Sequence, residues 1–220
     1  MTGLRVTITA GGTQEPLDPV RHIGNRSSGR MGYALAEVAR DCGAHVALIS
    51  APTCLEPVFG VEMVPVRTAE EMHRAVLENA RRSEALIMAA AVADYRPASI
   101  AEQKTKKGDE PIVLRLERTP DILACIAERP QGAKPELVVG FAAETEDLIE
   151  NARQKLRRKR LDLIVANDVS AADSGFGVDT NRVTLLTPDG DVQPLPLMPK
   201  SEVAEQILHR LAELWREAHG

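Results

Sequence analysis

The stretch from Arg5 to Gly32, RVTITAGGTQEPLDPVRHIGNRSSGRMG, constrains the fold of this chain more than any other. Arg5 to Ala10 reads as a short buried strand through Val6, Ile8 and Ala10. It runs into Gly11-Gly12-Thr13, where the backbone can turn tightly and present N–H groups. A polar loop with Arg21, Asn25, Arg26, Ser27 and Ser28 follows, and helical periodicity resumes at Met31 and continues through Leu35, Val38 and Cys42. Strand, glycine turn, polar loop and helix in that order build an anion site at a helix N-terminus. A packing reading stands beside it, in which Gly11, Gly12, Gly29 and Gly32 only permit a tight turn and close helix–sheet contact.

Downstream, strands alternate with helices. Ala44 to Ser50 and Val61 to Val66 read as strands, and Thr68 caps a helix to about Arg82 with Glu71 completing a capping box. Ala85 to Ala91 is almost wholly apolar, as a central parallel strand covered on both faces would be. Between Tyr95 and Glu110 the pattern breaks at Pro97, Gly108 and a lysine cluster, which predicts a mobile flap over about 98–110. Ile112 to Leu116 alternates like a strand with one wet face, and Thr119-Pro120-Asp121 opens a helix to Ala127 with proline at its first position. Leu137 to Phe141 and Leu161 to Val165 are further strands around a helix from Thr145 to about Arg160. A hairpin over about 182–197 turns at Asp189-Gly190, and Ser201 to about Ala218 is a closing helix. The order predicts one α/β domain over 1–220, a Rossmann-like doubly wound, mostly parallel sheet. Its late hairpin would form a small annex or a dimer-forming edge.

Several side chains carry candidate chemistry. The dinucleotide fingerprint G-x-G-x-x-G and the Walker pattern are both absent, so any phosphate loop here is of another design, with Arg21 and Arg26 for charge-assisted contacts. Asn25 either donates its amide to a ligand oxygen or closes an Asx-turn. Asp94, just past a buried strand, either accepts from a ribose hydroxyl, helps hold a divalent ion, or caps the next turn. Lys104-Thr105-Lys106-Lys107 is either a solvated run or a flap that closes over phosphates. Lys155 and Lys159 share one helix face and could reach one polyphosphate, although a basic helix end also suits the macrodipole. The five histidines have no metal-ligand spacing.

The strings A-G-G-T (Ala10–Thr13), E-P-L-D-P-V-R (Glu15–Arg21) and N-R-S-S-G-R-M-G (Asn25–Gly32) closely resemble phosphopantothenate–cysteine ligase. Ala90–Pro97, Lys104–Lys107, Thr119–Leu123, Val139–Thr145 and Ala166–Val169 match the same family in the same order, so the resemblance covers nearly the whole chain. It implies a Rossmann-like dimeric enzyme that joins 4'-phosphopantothenate to L-cysteine with CTP and Mg2+, through an acyl-cytidylate. By that resemblance Asn25 holds the acyl carbonyl and Lys104 rides a flap over the nucleotide. Ala90, Ala91, Asp94, the segment Pro120, Asp121, Ile122 and Leu123, Phe141, Lys155 and Lys159 line the nucleotide. Gly11, Gly12, Arg26 and Ser28 fall on the phosphopantothenate side, and any metal would sit near Asp94. The flap departs mildly from the family, since Gln103 and Thr105 flank the first lysine where relatives carry an acidic and an apolar residue. Many relatives also carry a flavin-dependent decarboxylase half in front, so the chain is either a stand-alone enzyme or one domain of such a fusion.

Two rivals remain distinct from that reading. An NAD(P)-dependent oxidoreductase would need a glycine fingerprint or a Tyr-x-x-x-Lys pair, but Glu37 follows Tyr33 and Ser99 follows Tyr95. A non-catalytic nucleotide-binding module would not need so many polar groups around one cleft. A formal charge of -5 makes any nucleic-acid surface local at most, and three cysteines without C-x-x-C spacing point to a reducing, cytoplasmic setting. No apolar run long enough for a membrane span occurs.

Overall fold

The computed structural model describes residues 1–107, 112–144, 147–168 and 177–220. Expectations that fall on Gly108, Glu110, Thr145 and Val169 lie outside those residues. The first half of the chain runs β1 (Arg5–Ala10), β2 (Gln14–Pro16), β3 (His22–Gly24), α1 (Arg30–Asp41), β4 (His45–Ser50), β5 (Glu62–Pro65), α2 (Ala69–Asn79), β6 (Ala85–Met88) and β7 (Tyr95–Pro97). The second half adds β8 (Leu116–Arg118), α3 (Ile122–Ala127), β9 (Leu137–Glu144), α4 (Leu148–Lys159), β10 (Leu163–Asp168), β11 (Thr180–Asn181), β12 (Val183–Leu186), β13 (Val192–Pro194), β14 (Met198–Pro199) and α5 (Lys200–His219).

Eight strands form the main sheet in the order β13-β12-β10-β9-β6-β1-β4-β5. The strands from β10 through β5 are parallel, and β12 and β13 extend the sheet antiparallel. Side chains alternate across each strand, so each face acquires its own core. Val6, Ile8, Ile87, Val139 and Val165 meet α1 and α5, whereas Leu86, Val138 and Ile164 meet α2, α3 and α4. Burying Ile8, Leu35, Leu86 or Ile164, each fully enclosed, contributes about 1.5–3 kcal/mol per side chain.

Three local expectations change. The strand from Ala85 stops at Met88, because the Ala90 N–H bonds to the Thr9 hydroxyl at 3.1 Å and leaves the ladder. The strand expected over Ile112–Leu116 begins only at Leu116, where β8 pairs with β7 in a small antiparallel ribbon. Pro120 is not the first helical residue: Asp121 is the N-cap of α3, and its carboxylate accepts the Ala124 N–H at 3.1 Å. The late hairpin is the continuation of the main sheet, with β13 as its outer strand. The expected capping box does form, with Glu71 N–H donating to Thr68 Oγ1 and the Thr68 N–H returning to Glu71, both at 3.2 Å.

Candidate active site

Strands on either side of the β1–β6 boundary are reached in opposite directions, β4 one way and β6 then β9 the other. Such a switch point leaves a crevice at the carboxyl ends of the strands. A cavity of about 680 Å³ occupies it, lined by the start of α1, the loop after β6, the start of α3, the far half of β9 and the basic end of α4. That volume suits a cofactor- or nucleotide-sized ligand.

The glycine turn builds this crevice from behind. Gly11 O accepts the Ala91 N–H at 2.8 Å, the Thr13 N–H donates to Ala91 O at 3.2 Å, and Thr13 Oγ1 accepts the Ala93 N–H at 2.9 Å. The turn therefore holds the Ala90–Ala93 loop in place. Gly11 has φ +81°, and a Cβ there would stand 2.8 Å from the Ala51 carbonyl oxygen; one on Gly12 would stand 2.5 Å from that of Asn25. Neither glycine is among the residues that line the cavity. Here their requirement is close packing, and the loop they secure carries the lining.

The structure brings Asn25, Ser28, Ala90, Ala91, Asp94, Pro120, Asp121, Ile122, Leu123, Phe141, Lys155 and Lys159 to one cavity wall or another. Arg26 is exposed and, like Lys104, stands outside the lining. Asn25 Nδ2 donates to Val92 O at 3.0 Å, which orients the amide between two loops. Lys155 Nζ donates to Phe141 O at 2.7 Å, and Lys159 is ion-paired with Asp121. Burial works against the charge on Asp121, but the Lys159 hydrogen bond, the Ala124 N–H and the field of Arg158 outweigh it and hold its pKa below the ordinary value. Lys159 is itself 8% exposed, so this pair is a fixed part of the wall.

Other lining residues had no local signal as site groups. Arg158 follows from α4, but Asn181 and Lys200 come from the ends of β11 and α5 and join Asn167, Arg30 and Met31 in the same lining. Lys200 donates to Val178 O, and burial followed by the nearby Arg30 charge lowers its pKa. Among the described residues no group of three or more His, Cys, Asp or Glu side chains is placed to hold a metal ion. The three cysteines are unpaired, and no described helix is long and apolar enough to cross a membrane.

The model of the DFP family, the C-terminal domain of the DNA/pantothenate metabolism flavoprotein, matches residues 1–214. The coenzyme A biosynthesis bifunctional protein CoaBC of Bacillus subtilis (strain 168) is 47% identical over 218 residues, covering 99% of this chain and 53% of that protein. The chain thus spans about half the length of the curated relatives it matches. The crystal structure of a CoaBC C-terminal domain superposes with a TM-score of 0.84 at 42% identity, covering 99% of this chain and 98% of that one. A Cab2 mutant in complex with phosphopantothenate-cysteine shares the fold, with a TM-score of 0.76 at 18% identity over 99% of this chain and 89% of that one. The chain belongs to the family of the DNA/pantothenate metabolism flavoprotein C-terminal domain.

Proposed function

We propose that the chain is a CTP-dependent phosphopantothenate–cysteine ligase acting in coenzyme A biosynthesis. The observation that carries the reading is the cavity at the switch point, where Asn25, Asp94, Lys155 and Lys159 join the backbone of residues 90–92 in one lining. Relatives bear the name of coenzyme A biosynthesis proteins, and one similar fold holds phosphopantothenate-cysteine. The unit spans 1–220, since both core faces draw on the first and last thirds of the chain.

In the first step a carboxylate oxygen of 4'-phosphopantothenate attacks the α-phosphorus of CTP, and the α–β bond breaks to release pyrophosphate. Lys155 supplies positive charge at the cavity wall, with Lys159 beside it shared with Asp121, and Lys104 approaches from the flap as charge grows on the leaving group. The Asp121 end of α3, Ile122, Leu123 and Phe141 form the side of the cavity that would seat the nucleoside. In the second step the amine of L-cysteine attacks the acyl carbonyl, CMP leaves, and the amine's proton passes to solvent. Asn25 donates to the carbonyl oxygen as negative charge develops there.

Magnesium fits the site as a companion of the triphosphate. Of the two carboxylates in the cavity lining, Asp121 is tied to Lys159, which leaves Asp94 to meet a cation. One carboxylate plus substrate phosphates is a usual arrangement for Mg2+. Asp94 would hold the ion, which would offset phosphate charge there.

A second copy of the chain completes the assembly. Tyr95, Ile100, Ile112, Val113, Leu114 and Leu116 are exposed apolar residues on and beside the β7–β8 ribbon. At the late hairpin only Leu197 is comparable among the described residues. The ribbon is therefore the better dimer face. In a longer protein a flavin-dependent decarboxylase domain would feed on the product.

The deciding experiment mixes the protein with phosphopantothenate, CTP and magnesium, with and without cysteine. Pyrophosphate should form only when phosphopantothenate is present, and amide only with cysteine. Equal turnover with ATP would remove the CTP assignment, and no pyrophosphate with either nucleotide would remove the ligase reading.

A further inference from the structure

Asp18 is an enclosed carboxylate near the site, with a side chain that is 0% exposed. It sits in the turn between β2 and β3, where the Leu17 N–H donates to Arg21 O at 2.9 Å. Its Oδ1 accepts the N–H groups of Val20 and Arg21, both at 2.9 Å. Its Oδ2 accepts Arg21 Nε at 3.0 Å, Arg21 Nη2 at 2.6 Å and the Thr105 N–H at 3.2 Å. Arg21 Nη2 also donates to Thr105 O at 3.0 Å, and the Ala101 N–H donates to Leu17 O at 3.0 Å. Thr105 is thus gripped at both ends of its backbone, and Lys104 lies between two fixed residues.

We propose that Asp18, acting through Arg21 and the Thr105 backbone, is a positioning residue that sets Lys104 relative to Asn25. One turn carries both sides of this geometry. Arg21 leads within four residues, through β3, to Asn25, and the carboxylate beside it holds the root of the lysine segment. With Thr105 held next to it and Ala101 three residues before, Lys104 has less backbone freedom left to lose when the triphosphate arrives, so less entropy is lost in reaching it. The Arg21 guanidinium, together with the backbone N–H groups, holds the Asp18 pKa well below the usual carboxylate range against the effect of burial. The clamp therefore stays charged throughout the neutral range.

The inference rests on the ligase reading for Lys104, but the clamp itself can be tested without the reaction. Asp18→Asn keeps the shape and replaces one acceptor with a donor, which then faces other donors. Amide exchange at Ala101 and Thr105 should quicken about tenfold or more in D18N while β1 and β6 stay protected. Unchanged exchange there overturns the clamp, whatever the enzyme does. In single turnover with phosphopantothenate, CTP and magnesium, D18N should slow pyrophosphate release about tenfold in the wild-type background and less than twofold on top of Lys104→Ala. Equal slowing in both backgrounds, or none in either, overturns the positioning role. Wild-type protein without pyrophosphate release refutes the ligase reading and with it the catalytic half of the inference. If D18N does not fold, Arg21→Met decides: it keeps the apolar stem but offers no donor to Asp18 or Thr105, and it should show the same dependence on Lys104.

Discussion

The amide nitrogen of Asn25 donates to the carbonyl oxygen of Val92 at 3.0 Å, joining the loop after β3 to the loop after β6 at the cavity wall. One of its two amide hydrogens is thereby used, and the group is oriented before any substrate arrives. Asn25→Asp puts an acceptor against the Val92 carbonyl and removes the donor from the acyl group. The first step relies mainly on contacts to the triphosphate and should partly survive. The second should lose roughly 3 kcal/mol, about a hundredfold, as for deletion of an oxyanion donor. The expected result is an acyl-cytidylate that accumulates, visible by mass, with little amide formed after cysteine is added. Wild-type amide output would exclude this role.

Lys104→Ala tests the flap. The residue is exposed, so stability should stay within about 0.5 kcal/mol of wild type. Pyrophosphate release in a single turnover should slow, since the charge that the lysine offsets grows as the α–β bond breaks. An unchanged burst rate would return the segment to a solvated loop.

Gly11→Ala separates packing from ligand contact. The new Cβ would combine a left-handed backbone with a 2.8 Å approach to Ala51 O, a cost of about 2–4 kcal/mol. The denaturant midpoint should fall accordingly, while CTP affinity, measured well below the melting temperature, should change far less. A large loss of affinity with unchanged stability would assign the glycine to the ligand instead.

Asp162 gives a pH dependence of known sign. Burial raises its pKa, even though its Oδ2 accepts the Val138 N–H at 2.7 Å. The folded protein holds that proton to a higher pH than the unfolded chain, so stability is lost as pH rises from the ordinary carboxylate value through the raised one. Asp162→Asn keeps an acceptor for Val138 without the charge. The variant should melt higher than wild type at pH 7, and the difference should vanish near about pH 3. A gap that widened in acid would contradict the sign.

Val113→Asp tests the dimer face. Val113 is 91% exposed beside other apolar side chains on the ribbon, so a charge there costs the monomer little. Sedimentation should change from a dimer in wild type to a monomer in the variant. A dimer that persists would move the interface away from β7–β8.

What the sequence determined by itself was the order of elements and the identity of most cavity groups. Hydrophobic period distinguishes strand from helix within a few residues, and the Thr68–Glu71 capping box is complete within four. The segments around Asn25, Asp94, Pro120 and Lys155 were legible because each is contiguous. Only the tertiary structure decided which backbone groups those segments spend on one another. β6 ends early because Thr9, from another strand, takes the Ala90 N–H; Glu15 reaches across to the first N–H of α2 at 2.8 Å. Asp18 meets Thr105, and Lys200 and Asn181 join the cavity lining, with no pattern in their own neighbourhoods to announce it. Local periodicity records which side of an element faces water. A hydrogen bond between residues eighty positions apart depends on how the sheet brings loops together, and that leaves no periodic trace in the chain.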